Sequence, residues 1–216
     1  MTIIGKTSAV VVIILVLVAL LRNSDHNRNS ENHSDDFSSE AEENMPLMMA
    51  INNGDADGIK KQLRDSPELK EEFYGDSKIW GNLGSTLDYA IITGNPDSVQ
   101  AILDSGVDVN QHDSEDRTPL HQAASLGAAN VVSILIRNGA KVNAIDSLGF
   151  SPLFDAAQSG SIETARVLLE AGADSSLSTP DGQTAESIAL RHNNAQIASL
   201  IEQSKESEHK HKPHSE

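Results

Sequence analysis

The sequence predicts an all-α fold, a solenoid of stacked helix–turn–helix units with one transmembrane helix ahead of it. Three observations lead there. Similar short segments begin at Ser85, Thr118, Ser151 and Thr184, each 33 residues after the last, and a fixed step of this size marks a repeat array. Glycines recur in the same register, at Gly94, Gly127 and Gly160 and again at Gly106, Gly139 and Gly172. Residues Ala9 to Leu21 form an unbroken apolar run. Of the 216 residues only 3% are aromatic, so many small Ala and Leu contacts suit the chain better than one large aromatic core.

The N-terminal segment comes first. From Thr2 to Leu21 a helix would be long enough to span a bilayer, which takes about 20 residues. Lys6 near one end can snorkel to the interface. Two readings stand. One is a signal anchor over residues 1–22 that stays on the protein. The other is a secretory signal peptide, whose charged start and apolar run are present but whose small-x-small cleavage site is not, since the run ends Val18-Ala19-Leu20-Leu21-Arg22. The anchor is the favoured reading. Lys6 and the α-amino group on one side nearly balance Arg22 and Arg28 on the other. The very short N-terminal tail places the folded domain on the exported, non-cytosolic side of a single-pass membrane protein. Cleavage would instead leave a secreted or periplasmic protein. Gly5-Lys6-Thr7 echoes a phosphate-binding loop, but the earlier Gly, the strand and the helix are missing, so the match is discarded.

Residues 23–44 are rich in Ser, Asn, Asp, Glu and His, with Phe37 as the only aromatic. Such a segment buries too little apolar area to offset the entropy of ordering, and it reads as a disordered acidic spacer. The domain proper is expected over 45–203, with units starting near 45, 85, 118, 151 and 184. The step from 45 to 85 exceeds the period by about seven residues, an insertion within Leu69 to Gly84 that holds Phe73, Tyr74 and Trp80.

Within a unit each residue type has a physical reason. Thr118 can cap the first helix, and Pro119 suits its first turn because no partner is needed there for the missing N–H. Ala123-Ala124 and Ala156-Ala157 let neighbouring helices approach closely. The glycines end helices in the left-handed conformation. Second helices carry Val99-Gln-Ala-Ile-Leu103, Val131-Val-Ser-Ile-Leu135 and Ala165-Arg-Val-Leu-Leu169. Thr118-Pro119-Leu120-His121 is a full copy of the signature of the ankyrin repeat family, which the chain resembles over roughly residues 45 to 203. Ser85-Thr86-Leu87-Asp88 lacks the Pro and the His, Phe154 replaces the His, and Thr184-Ala185-Glu186-Ser187 is degenerate as a capping unit is. The resemblance implies an ankyrin-repeat solenoid of about five helix–turn–helix units with short β-hairpin loops. It also implies a structural hydrogen-bonding role for His121.

The same resemblance implies that a protein partner docks on the hairpin tips and the exposed face of the first helices. The positions so marked are Glu115, Arg117 and Leu126, then Ser147, Leu148, Phe150, Gln158 and Ser159, then Asp181, Gln183, Arg191 and His192. Leu148 and Phe150 stand out, because a turn has no folding need for two large apolar groups and exposed anchors make hot spots. Phe150 has a second reading, folded back onto the next repeat. Trp80 and Tyr74 form a further candidate patch, or else cap the N-terminal repeat.

Other chemistry has little support. The chain has no Cys, which removes disulfides, thiolate nucleophiles and Cys-ligated zinc. No constellation of acids, bases or nucleophiles points to an enzyme, and no cofactor is implied. Asp113-Ser-Glu-Asp116 lacks the Gly and distal Glu of a calcium loop and falls at a hairpin tip. The tail, 204–216, reads as a disordered His/Lys/Glu segment. Its His209, His211 and His214 are weak metal candidates, and with the linker's His26 and His33 they define the alternative reading, a metal-binding accessory protein. The net charge of −16 argues against nucleic acid and suits a basic protein partner, the protein itself being a monomer. Intact mass in separated fractions tests the N-terminus. The anchor predicts the uncleaved mass in the membrane fraction, and a signal peptide predicts a soluble exported species short by about 20-odd residues.

Overall fold

The computed structural model describes residues 46–70 and 85–211, with side chains through 206. Ten α-helices occur among them, paired in five units. Helix α1 covers 46–53 and α2 Ala56–Asp65, followed by a 3-10 turn at Pro67–Lys70. The second unit is α3 (Thr86–Thr93) and α4 (Pro96–Asp104), and the third is α5 (Pro119–Ser125) and α6 (Ala129–Arg137). The fourth is α7 (Pro152–Ser159) and α8 (Ile162–Glu170), and the fifth α9 (Ala185–Arg191) and α10 (Ala195–His211). The segments 1–22 and 23–44, together with Met45, Phe73, Tyr74, Trp80 and His214, lie outside the described residues. None of the described helices is long and apolar enough to cross a membrane.

Local chemistry sets the boundaries. Pro96, Pro119 and Pro152 each open a helix at its first turn. Ser85 Oγ accepts from the Asp88 amide, and Asn95 Oδ1 accepts from the amides of Asp97 and Ser98. The glycines of the repeat pattern all have positive φ, as the sequence predicts. At Gly160 the φ of 78° and the neighbouring unit both require it, since a Cβ there would lie 2.9 Å from Asn194 Oδ1.

First helices α3, α5, α7 and α9 pack in a row, and second helices α2, α4, α6, α8 and α10 pack in another. Leu87, Leu120 and Leu153 on the first row are buried, as are Ile102, Leu135, Leu168 and Ile201 on the second. Both sets step by 33, so one core runs the length of the array. Burying one such side chain stabilises by about 1.5–3 kcal/mol.

Two expectations need correction. The inter-repeat loops are turns, not β-hairpins: no strand occurs among the described residues, and the sole ladder contact there is an isolated bridge between Ser178 and Thr184. The turn residues' own side chains take the amide hydrogens that a ladder would use. The tail also begins as helix, since α10 passes residue 203 and runs to His211. No Gly or Pro interrupts Ala195–His211, and Lys205 Nζ reaches Glu186 at 2.6 Å. His209 and His211 lie in that helix, with their side chains outside the described set.

Asparagines pin unit to unit. Asn110 donates to Gly139 O (3.1 Å) and accepts from the Lys141 amide (2.9 Å). Asn143, 33 residues on, repeats this with Gly172 O (3.2 Å) and the Asp174 amide (2.8 Å). Replacing Asn110 or Asn143 with Ala removes two exposed hydrogen bonds. A loss of about 1 kcal/mol is expected for each, read from urea unfolding midpoints.

Candidate functional site: the inter-repeat tips and the groove beneath them

Three tips, 113–117, 146–150 and 179–183, are built alike. In each, the first residue's amide donates to the fifth residue's carbonyl: Asp113 to Arg117 (3.1 Å), Asp146 to Phe150 (3.0 Å) and Thr179 to Gln183 (2.9 Å). Asp113 Oδ1 accepts from the amides of Glu115 and Arg117, and Asp146 Oδ1 from those of Leu148 and Phe150. Thr179 Oγ1 accepts from the Gln183 amide. The fourth position is left-handed in every tip, held by Gly149 (φ 86°), Gly182 (φ 79°) and, unusually, Asp116 (φ 59°). Ser147 N–H donates to Glu115 O at 2.9 Å, so the first and second tips are tied together by their backbones.

Arg117 is not a free tip residue. Its guanidinium donates to Asp146 Oδ2 at 3.1 Å and to both Asp155 oxygens at 3.1 Å. It thus joins the first tip, the second tip and helix α7, and both carboxylates are buried. Two acids below the tips need one fork-shaped cation between them, and Arg117 supplies it. Burial works against the Arg117 charge, but the carboxylates of Asp155 and Asp146 outweigh it and its pKa rises. Burial pushes Asp155 up to about 6 despite the pull of Arg117. A guanidinium does not give up its proton, so the carboxyl is the partner that titrates.

The remaining predicted positions divide. Leu148 is 63% exposed and Leu126 53% exposed. Phe150 is half-buried, and its ring lies 5.4 Å from that of Phe154, so it folds back onto the next repeat. Glu115, Ser147, Gln158 and Ser159 are exposed, although Ser159 Oγ also donates to Ala124 O at 3.2 Å. Asp181, Gln183 and Arg191 form a chain: Gln183 donates to Asp181, and Arg191 donates to Gln183 Oε1 at 2.9 Å. His192 is exposed. Leu126, Gln158, Ser159, Arg191 and His192 thus stand at the ends of first helices and the others on tips, with Glu115 and Arg117 also lining one groove.

His121 is fully buried. Its Nδ1 accepts from the Thr118 amide (3.1 Å), which puts the proton on Nε2, donated to Phe150 O at 3.0 Å. Burial lowers its pKa, in keeping with a neutral ring. No group of three or more His, Asp or Glu able to share a metal occurs among the described residues.

A groove lies beneath the first tip, lined by Asp88, Asp108, Asp113, Glu115, Arg117 and Gln122 among others. Sequence inspection missed Asp88 and Gln122 here, and Asp155 as the partner of Arg117. A signal existed for Asp155: Arg117 is the one cation among tip residues whose equivalents are Phe150 and Gln183, and it needs a buried anion.

Arg117→Ala leaves two buried carboxylates without their cation and costs about 3–5 kcal/mol by urea unfolding. Asp155 holds its proton in the fold up to about 6, against 3.8 for an aspartate in water. Its contribution is present below pH 3.8 and is lost as pH rises through about 6. Asp155→Asn should lose less stability than wild type between pH 4 and pH 7.

Comparison with known proteins agrees with the repeat geometry. Residues 87–179 match the family model described as ankyrin repeats, in three copies. Protein PhlB of Serratia liquefaciens is 35% identical over 83 residues, which is 38% of this chain and 33% of that protein. The match thus spans a third of the relative's length. With the 33-residue step, the paired helices and the buried Pro119-Leu120-His121 of the signature, residues 87–179 are ankyrin repeats.

Proposed function

We propose that this chain is a membrane-tethered ankyrin-repeat module that works by binding a protein partner, as scaffold, adaptor or regulator, and not by catalysis. The partner docks on the inter-repeat tips and the concave face of the first helices, and a basic surface is its natural electrostatic complement. One observation carries this reading. The tips satisfy their own hydrogen bonds, yet Leu148 on the second tip and Ile145 just before it are 63% and 50% exposed. Folding does not use those side chains, and exposed apolar groups on a rigid support are what a partner buries. Ile92, Leu126 and Leu190, all about half exposed, extend the apolar positions along the first-helix ends.

The tether is the run from Ala9 to Leu21, with residues 23–44 as spacer and the repeat domain on the exported side. Release by signal cleavage would give a free secreted or periplasmic binder of the same kind.

Photo-crosslinking in the native cell tests the binding reading. A photoreactive residue at Leu148 or Leu126 should trap a specific protein, while one at Arg166 on helix α8 should not. Crosslinks from Arg166 alone, or from no position, would refute the reading.

A further inference from the structure

Each of the three tips carries an exposed side chain at its third residue. These are Glu115, Leu148 and Asp181, 33 residues apart. Along the array the row reads acid, apolar, acid. The middle tip is held from both sides. Ser147 N–H donates to Glu115 O at 2.9 Å, which ties the second tip to the first. Pro180 of the third tip closes on Gly149, where a Cβ would lie 2.9 Å from the Pro180 Cδ.

Leu148 is 63% exposed, and Ile145 just before its tip is half exposed. Both flanks are anionic. Glu115 forms no ion pair among the described residues, and Asp116 beside it pairs there only with His112, at 3.6 Å. Asp181 accepts from Thr179 Oγ1 and Gln183 Nε2, and those bonds hold its carboxyl below the usual range. Arg191 stands near Asp181 but donates to Gln183 Oε1 at 2.9 Å, so this flank is the weaker of the two.

Spacing limits what can lie across the row. Neighbouring helices pack about 8–10 Å apart, and the tips advance with the first helices that follow them. An extended chain rises about 3.3 Å per residue, so it covers one tip-to-tip step in about three residues. A helix rises about 1.5 Å per residue, would need about six, and is about 10–12 Å across. The residues beside the row, Ser114 and Ser147, give the apolar stripe of a helix nothing to bury.

We propose that an extended segment of a protein partner crosses the three tips. One apolar side chain rests on Leu148 and Ile145, and a basic side chain about three residues to either side meets Glu115 on one flank and Asp181 on the other. The row reads the same from both ends, so either chain direction satisfies it. The inference rests on the binding function proposed above and deepens it, by giving the partner's chemistry a spacing.

The test applies the full chain, fluorescently labelled and in mild detergent, to an array of peptides. Each peptide carries Lys, Leu and Lys separated by equal Ser/Thr spacers of zero to eight residues. Binding should peak at one or two intervening residues, about tenfold above the peptide with none. Leu148→Ser should lower the peak about tenfold. Glu115→Gln should lower it about threefold and flatten its loss with added salt, and Asp181→Asn should lower it less. Leu148 and Glu115 are exposed, so melting temperatures of their variants should not move, which separates lost contact from lost fold. A peak at any other spacing, no dependence on spacing, no binding to any peptide, or an unchanged signal in Leu148→Ser would overturn the inference. Crosslinking from Leu148 to a protein in cells, combined with any of those results, would leave the binding function standing and remove only the spaced segment.

Discussion

The second helices of this array carry Ile102, Leu135, Leu168 and Ile201, fully buried and 33 residues apart, on surfaces that a lone helix pair would leave in water. A pair of short helices, seven to ten residues each in all but the 17-residue last one, has no interior of its own, so each unit folds only against its neighbours. That constraint explains the small residues. Ala90, Ala124, Ala157 and the matching Ala123 and Ala156 are at zero exposure because the first helices must approach closely enough for the leucines behind them to meet.

Apolar contacts of this kind tolerate sliding, and polar ones set the register. Asn110 and Asn143 each bridge to the next unit through one donor and one acceptor, which only one alignment satisfies. His121 does the same from inside, reading the Thr118 amide of its own unit and the Phe150 carbonyl of the next. Arg117 binds three elements at once through Asp146 and Asp155. The edge of the array is therefore held rigid by interactions beneath it. A rigid edge loses little entropy on binding, which favours a docking surface made of short turns.

The pair Leu148 and Phe150 shows how far residue type alone goes. Both are large apolar groups in one five-residue turn, and both read as anchors. In the structure they part: Phe150 meets Phe154, while Leu148 stays in water. Phe154 stands where the signature has His, and an aromatic there gives the tip's aromatic a surface that His121 does not offer its own tip. Arg117 was legible as a tip residue but not as the cation shared by two buried carboxylates, because Asp146 and Asp155 lie 29 and 38 residues away.

Sequence by itself determined the period, the helix pairs, the capping prolines and glycines, and the apolar stripe, since each depends on local backbone preference or on spacing along one helix. Within residues 87–179 those features suffice for the repeat family. Tertiary structure decided which tip side chains are exposed and which carboxylates share a cation. These depend on groups that meet across units, 26 to 38 residues apart, where only stacking brings them within hydrogen-bond reach.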